Sequence, residues 1–285
     1  MNRFVALLLF VTLIWGTTFP LLKELVATLS GAEISALRFL VAAMCMLPFA
    51  FRVPRHTWPD GTLLGVLALV AYVAQAWALE YISANRSAFL TSLNVLIVPL
   101  LGLLWGASVS MVVFGAAAVA CIGVALMSWE GGANLLGDGL TLLCALSYAV
   151  YLIVLSQRSR RHDPLALAAA QVVVMALLGA LWLGGAALVD AGPALFDRVL
   201  PHMGTLLYLG AIATAAMLYL QTLGQRHVAA TQAAVVFAME PVFAALSSWI
   251  WIGETLTPRA ALGGALVVLA VILSEWKPPA RSAAK

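Results

Sequence analysis

Residues 229–252 read AATQAAVVFAMEPVFAALSSWIWI, an apolar run in which Glu240 is the single ionisable side chain. A helix needs about 20 apolar residues to cross the hydrocarbon core of a bilayer, so this stretch is long enough to span one. Halfway along it, Glu240 stands directly before Pro241. A charge and a residue that removes a backbone donor therefore coincide at bilayer depth.

Runs of the same kind fill the rest of the chain. Of its 285 residues, 64% are apolar and 9% charged, against roughly 45–50% and about 25% in a soluble protein. So few charges cannot cover a water-exposed surface, which excludes a water-soluble enzyme, a nucleic-acid-binding domain and a disordered chain. A net charge of +3 gives no reason to expect nucleic acid as a partner. Cys45, Cys121 and Cys144 lie inside apolar runs without paired spacing and read as small buried hydrophobes.

Charge, Gly and Pro punctuate the runs into ten spans, at 4–28, 32–51, 61–81, 84–106, 108–128, 136–157, 164–189, 203–225, 229–252 and 258–276. The boundary at Gly106-Ala107-Ser108 carries no charge. The first run continues past signal-peptide length with no small-residue cleavage site, so it reads as an uncleaved span. With the N-terminus in the cytoplasm, ten basic residues fall inside (Arg3, Arg52, Arg55, Arg158, Arg160, Arg161, Arg226, Lys277, Arg281 and Lys285). Four fall outside (Lys23, Arg86, Arg198 and Arg259), and Arg38 lies within a span. That bias matches the positive-inside rule and would break at nine or eleven spans. The expectation is an all-α polytopic membrane protein with both termini cytoplasmic. Trp58, Trp129, Trp251 and Trp276 stand at span ends, where indole rings prefer the interface. Trp15, Trp77 and Trp182 stand inside spans.

The halves align in order. Gly61-Thr62-Leu63-Leu64 opens the third span and Gly204-Thr205-Leu206-Leu207 the eighth; Pro99 lies within the fourth and Pro241 within the ninth. Gly115, Ala117 and Val119 match Gly263, Ala265 and Val267. This divides the chain into a five-helix repeat at 1–132, a second at 133–276 and a cytoplasmic tail at 277–285. Five is odd, so the second repeat is expected to insert inverted, as in secondary transporters with a site near the midplane.

Candidate cavity residues are the polar and aromatic side chains within the spans: Trp15, Arg38, Tyr72, Gln75, Trp77, Asn94, Tyr148, Tyr151, Gln171, Tyr219, Gln221 and Glu240. Glu240 has two readings, a partner for a substrate ammonium or proton, and a protonated carboxyl bonded to a neighbouring helix. Arg38 and Lys23 either snorkel to the interface or, for Arg38 chiefly, meet a carboxylate in a wet cavity. The amides and tyrosines either line the cavity or tie helices together. Pro99 and Pro241 are candidate helix breaks. Gly115, Gly123, Gly263 and Gly264 are expected to let the fifth and tenth spans approach closely. No nucleotide loop, metalloprotease motif or nucleophile elbow occurs, so no catalytic residue, metal or cofactor is expected.

Several stretches together resemble the EamA-type family of the drug/metabolite transporter superfamily. They are Trp15-Gly16, Lys23, Leu37-Arg38-Phe39, Ala78-Leu79 to Ala84, Pro99, Glu240-Pro241-Val242-Phe243-Ala244-Ala245-Leu246 and Gly253-Glu254-Thr255-Leu256-Thr257. The first half lacks the Gly-Glu element after its fourth span. Overall the chain is similar to the bacterial aromatic amino acid exporters of that family. The resemblance implies a central cavity between spans 1–4 and 6–9, with spans 5 and 10 to the side. It also implies export of aromatic and other neutral amino acids by alternating access across a bacterial inner membrane; the sequence itself makes no obligate protein partner evident. Small multidrug relatives carry an acid within the first helix, whereas here Thr12, Leu13, Ile14 and Trp15 occupy that region. That departure favours neutral or zwitterionic substrates over cationic drugs. A proton-coupled exporter of metabolites or drugs is the alternative; an intramembrane enzyme would need a catalytic pair that the spans lack.

Overall fold

The computed structural model describes residues 2–106, 109–128, 134–187, 195–252 and 257–274, and all its regular structure is helical. Trp129, Trp276, the Gly253–Leu256 part of the Gly-Glu element and the tail at 277–285 lie outside the described residues, as does the side chain of Trp251. We number the main helices α1 (Arg3–Gly16 and Thr18–Leu25), α2 (Gly31–Ala50), α3 (Trp58–Ala78), α4 (Ala84–Ser92 and Asn94–Leu104) and α5 (Met111–Ser128). The second set is α6 (Leu135–Arg158), α7 (Pro164–Ala187), α8 (Met203–Leu207, Tyr208–Ala216 and Met217–Gln225), α9 (Ala230–Phe237 and Glu240–Ile252) and α10 (Pro258–Ser274). Among the described residues, eight helices are long and apolar enough to cross a membrane, and α5 and α10 are shorter apolar helices.

Local chemistry sets the helix ends. Ser30 and Glu33 form a capping box on α2, Ser83 accepts from the Arg86 amide at the start of α4, and Asn134 accepts from the Gly137 amide at the start of α6. The uncharged boundary after α4 is closed by backbone geometry, with Gly106 at φ +76° just past the helix. A left-handed terminal residue of this kind is the common glycine stop. Helix limits fall within about a turn of the breaks in apolar sequence.

Contacts at the helix ends sort the connections into two groups. At one end Lys23 Nζ donates to the carbonyls of Leu79 and Ile82, and Arg86 grips Asp138 through two bonds of 2.6 and 2.7 Å. Arg198 pairs with Glu33 at that end too. At the other end Asp60 meets Arg158 and His162, and Phe4 stacks on His227. Residues from alternate connections therefore meet.

Packing between the halves is reciprocal. α3 lies against α6 and α7, while α8 lies against α1 and α2. α4 meets α6 as α9 meets α1, and α2–α7, α4–α9 and α5–α10 pair directly. Matching carbonyls take part: a Cβ on Gly65 of α3 would lie 2.8 Å from the Gln171 carbonyl of α7, and one on Gly210 of α8 would lie 2.7 Å from the Arg38 carbonyl of α2.

The small-residue reading of α5 and α10 divides. A Cβ on Gly123 would lie 2.6 Å from the Gly263 carbonyl, so this glycine does hold the two helices close. Gly115 has nothing within 4 Å of its Cβ position and makes no such approach; it is exposed on the outer face of α5, whereas Ala116 and Ala117 beside it are buried. Gly123→Ala is therefore expected to lose about 1–3 kcal/mol through backbone overpacking. Gly115→Ala should be neutral or gain up to about 1 kcal/mol from helix propensity. Thermal unfolding of the two purified variants in detergent checks this, and equal midpoints would contradict it.

Candidate functional site

Three helices are broken where they pass the middle of the bundle. α1 is interrupted at Thr17, three residues before Pro20, and α9 breaks at Ala238-Met239 just before Pro241. α4 breaks at Leu93, while Pro99 sits inside its continuing second piece. Pro99 is thus not itself the break. Proline leaves the carbonyl four residues earlier without its usual donor, and backbone groups freed in a membrane need substitutes. Around Thr17, side-chain hydroxyls bond carbonyls next to the break: Thr17 donates to the Ile14 carbonyl and Thr18 to the Trp15 carbonyl, each at 2.7 Å.

A further irregularity has no proline behind it. Tyr208–Ala216 of α8 is a π-helix. Its wider turn sends the Met217 amide to the carbonyls of Ile212 and Thr214, passing over Ala213. The Ala213 carbonyl instead accepts the Trp15 indole N–H at 2.8 Å. The Thr214 hydroxyl donates five residues back to Leu209 at 2.7 Å and accepts from Arg38 Nε at 3.0 Å.

These elements line a narrow cavity of about 40 Å³, walled by Trp15, Thr18, Arg38, Ala71, Tyr72, Gln75, Thr91, Cys144, Tyr148 and Glu240. It draws on α1, α2, α3 and α4 of the first half and on α6 and α9 of the second. Arg38 is 3% exposed, so it does not snorkel, and its guanidinium carbon stands 4.7 Å above the Tyr72 ring. Among the described residues no carboxylate forms an ion pair with it. Glu240 makes no hydrogen bond among the described residues; it faces the cavity and is not tied to a neighbouring helix. Trp15, Tyr148 and Phe237 form an aromatic cluster with ring centroids 5.5–6.2 Å apart. Gln75 donates to Thr91 at 3.4 Å on another wall. The arrangement offers one cationic edge, one carboxyl and aromatic faces between them, a setting for a solute carrying opposite charges on an apolar body.

Six of the twelve residues expected from the sequence, Trp15, Arg38, Tyr72, Gln75, Tyr148 and Glu240, meet in this cavity. Three others form a sealed polar layer next to it. Tyr151 donates to Gln171 at 3.0 Å, Gln171 donates to Thr222 at 3.3 Å, and Gln221 donates to Tyr148 at 2.9 Å and to Gln225 at 3.0 Å. Tyr151, Gln171, Gln221, Thr222 and Gln225 are fully buried, and they tie α6, α7 and α8 together. Tyr148 belongs to both groups, stacking on Tyr151 with centroids 5.6 Å apart. Asn94 is buried at the break of α4 with its Oδ1 unpartnered. Tyr219 packs against the core without lining the cavity. Trp77 is 38% exposed and Trp182 48%, both on the outer surface of the bundle. Thr18, Thr91 and Thr214 are not among the sequence candidates, and Pro20 two residues after Thr18 is the signal that could have found it; Cys144, read as a small buried hydrophobe, is buried at the cavity wall, whereas Cys45 is exposed. Among the described residues, no group of three His, Cys, Asp or Glu side chains could hold a metal ion.

The profile of the EamA-like transporter family matches residues 2–129 and again residues 135–276. An uncharacterized transporter of Archaeoglobus fulgidus is 30% identical over 273 residues, covering 92% of this chain and 82% of its own. A probable biotin transporter of Pseudomonas aeruginosa is 29% identical over 269 residues, covering 92% of this chain and 94% of its own. A crystal structure superposes over 96% of both chains with a TM-score of 0.77 at 17% identity, a likeness of fold alone. With the family profile matched twice across nearly the whole chain, and apolar helices enclosing a polar cavity, this chain is a multi-pass membrane transporter of the EamA-like family.

Proposed function

We propose that the chain exports amino acids, aromatic and other neutral ones, from the cytoplasm across a bacterial inner membrane by alternating access. In this reading ten crossings form two inverted five-helix units, 1–132 and 133–276, with both termini cytoplasmic. The doubled family match and the reciprocal packing of α3 on α6–α7 and α8 on α1–α2 support that arrangement. The observation that carries the substrate is the cavity itself: Arg38 and Glu240 share it with Trp15, Tyr72 and Tyr148. A zwitterion needs an acceptor and a donor in one site, and an apolar side chain needs the rings. The reading involves no cofactor or obligate protein partner, only the solute and the lipid bilayer.

Counterflow of radiolabelled phenylalanine, tryptophan, leucine and threonine into liposomes holding the purified protein tests it. Exchange of at least one is expected. Absence of all four, with exchange of another metabolite, would move the substrate elsewhere.

A second reading makes the chain a broad metabolite or drug exporter driven by proton antiport. It is favoured by a cavity carboxyl free of protein hydrogen bonds, and by a relative named for biotin, which itself bears a carboxylate.

A further inference from the structure

Arg38 poses a problem that the transport reading alone does not resolve. A guanidinium inside a membrane bundle costs several kcal/mol unless something compensates it. Among the described residues the protein provides one hydrogen bond and one ring face, which offset the cost and orient the group but leave its charge unpaired. Nε is held by the Thr214 hydroxyl at 3.0 Å, and the guanidinium plane is held by Tyr72 at 4.7 Å. Thr214 has no freedom in this. Its proton is committed to the Leu209 carbonyl at 2.7 Å, so its oxygen faces Arg38 as an acceptor only. That commitment exists because the helix is π-wound there, where a hydroxyl can reach the carbonyl five residues back. With Nε and the ring plane fixed, the four N–H bonds on Nη1 and Nη2 remain, and Arg38 lines the cavity. That edge has the fork spacing that takes a carboxylate through two parallel hydrogen bonds.

We propose that Thr214, on the π-helical segment of α8, is the positioning residue that aims the Nη edge of Arg38 into the cavity, and that this edge binds the carboxylate of the transported solute. The inference rests on the transport reading and adds to it which end of the solute is read, by which residue, and through which partner. Thr214 does not line the cavity, and its effect passes through Arg38. It also joins the halves functionally, because a side chain of the second repeat sets the orientation of a binding group of the first.

The test is binding to the purified full-length protein, read as ligand-induced thermal stabilisation, which needs no flux. The probes are phenylalanine and leucine against phenethylamine and isoamylamine, which differ from them by the missing carboxylate. Wild type and Thr214→Ser are expected to be stabilised by the amino acids at the same concentrations and not by the amines. Thr214→Val and Thr214→Ala are expected to need about 10-fold more amino acid, as one orienting charge-assisted bond is lost. Their unliganded midpoints guard against misfolding, and either variant alone suffices. A merely structural role would lower the unliganded midpoint and leave the amino acid concentration dependence unchanged. Equal stabilisation by amines and amino acids, stabilisation by neither, or an unchanged concentration dependence in both Val and Ala variants would overturn the proposal. Counterflow failing for every solute would instead overturn the transport reading, since the binding preference is measured without it.

Discussion

Arg38→Met is expected to leave the thermal midpoint of the purified protein unchanged while reducing amino acid counterflow about 100-fold or more. The two halves of this result come from opposite sides of one balance. Arg38 is 3% exposed and has no carboxylate partner among the described residues, so its charge costs about 2.5–3.5 kcal/mol on insertion scales. Its compensation is a hydrogen bond to Thr214, about 1.5–3 kcal/mol for a charged donor, and the Tyr72 face, about 1–2 kcal/mol when desolvated. These terms nearly cancel, and methionine fills a similar length without charge. The solute has no such compensation: losing a forked guanidinium–carboxylate contact removes about 3 kcal/mol, or about 100-fold. A midpoint that falls together with counterflow would instead assign Arg38 to holding α2 against α8.

Glu240→Gln preserves volume and removes the charge. For an amino acid bound through its ammonium group, a charged acceptor becomes a neutral one, a loss of about 1–2 kcal/mol or roughly 10-fold in apparent affinity. Phenylpropanoate, which has the same body and carboxylate but no ammonium, should be unaffected. The comparison also separates the two functional readings. If Glu240 is the proton carrier, the Gln variant retains solute exchange at equal pH on both sides and loses the flux driven by a pH gradient. If both solutes and both modes of flux survive, Glu240 has no part in recognition or coupling.

The positions of the helices were legible in the sequence because charge, Gly and Pro interrupt long apolar runs; the uncharged boundary at Gly106 was placed without a reason, which the structure supplies as a left-handed glycine. The facing of each helix was not. A membrane helix meets lipid on one side and apolar neighbours on the other, so hydrophobic periodicity does not mark its inner face. Gln75 and Trp77 are two residues apart on α3 and look alike as polar or aromatic candidates, yet one lines the cavity and the other is on the outer surface. Tyr148 and Tyr151 share a face, and the stacking that follows puts one at the cavity and the other in the sealed layer. The π-helix of α8 was illegible for a different reason. Tyr208–Ala216 has ordinary helix-compatible composition, and the extra residue per turn is fixed by what Trp15 and Arg38 require of it across the bundle. Proline was a partial guide, because Pro241 lies beside a break whereas Pro99 lies inside a continuous helix.

The interlocking of the two halves changes what kind of folding reaction this is. When α3 finds its neighbours in α6 and α7, and α8 finds its own in α1 and α2, neither half completes its packing from its own helices. Assembly is therefore a dimerisation in its physics, made unimolecular by the peptide between α5 and α6. Tethering replaces the concentration of free partners in the bilayer with an effective concentration set by a short linker. The meeting of the two halves is consequently set by that linker and not by how many copies of the chain the membrane holds.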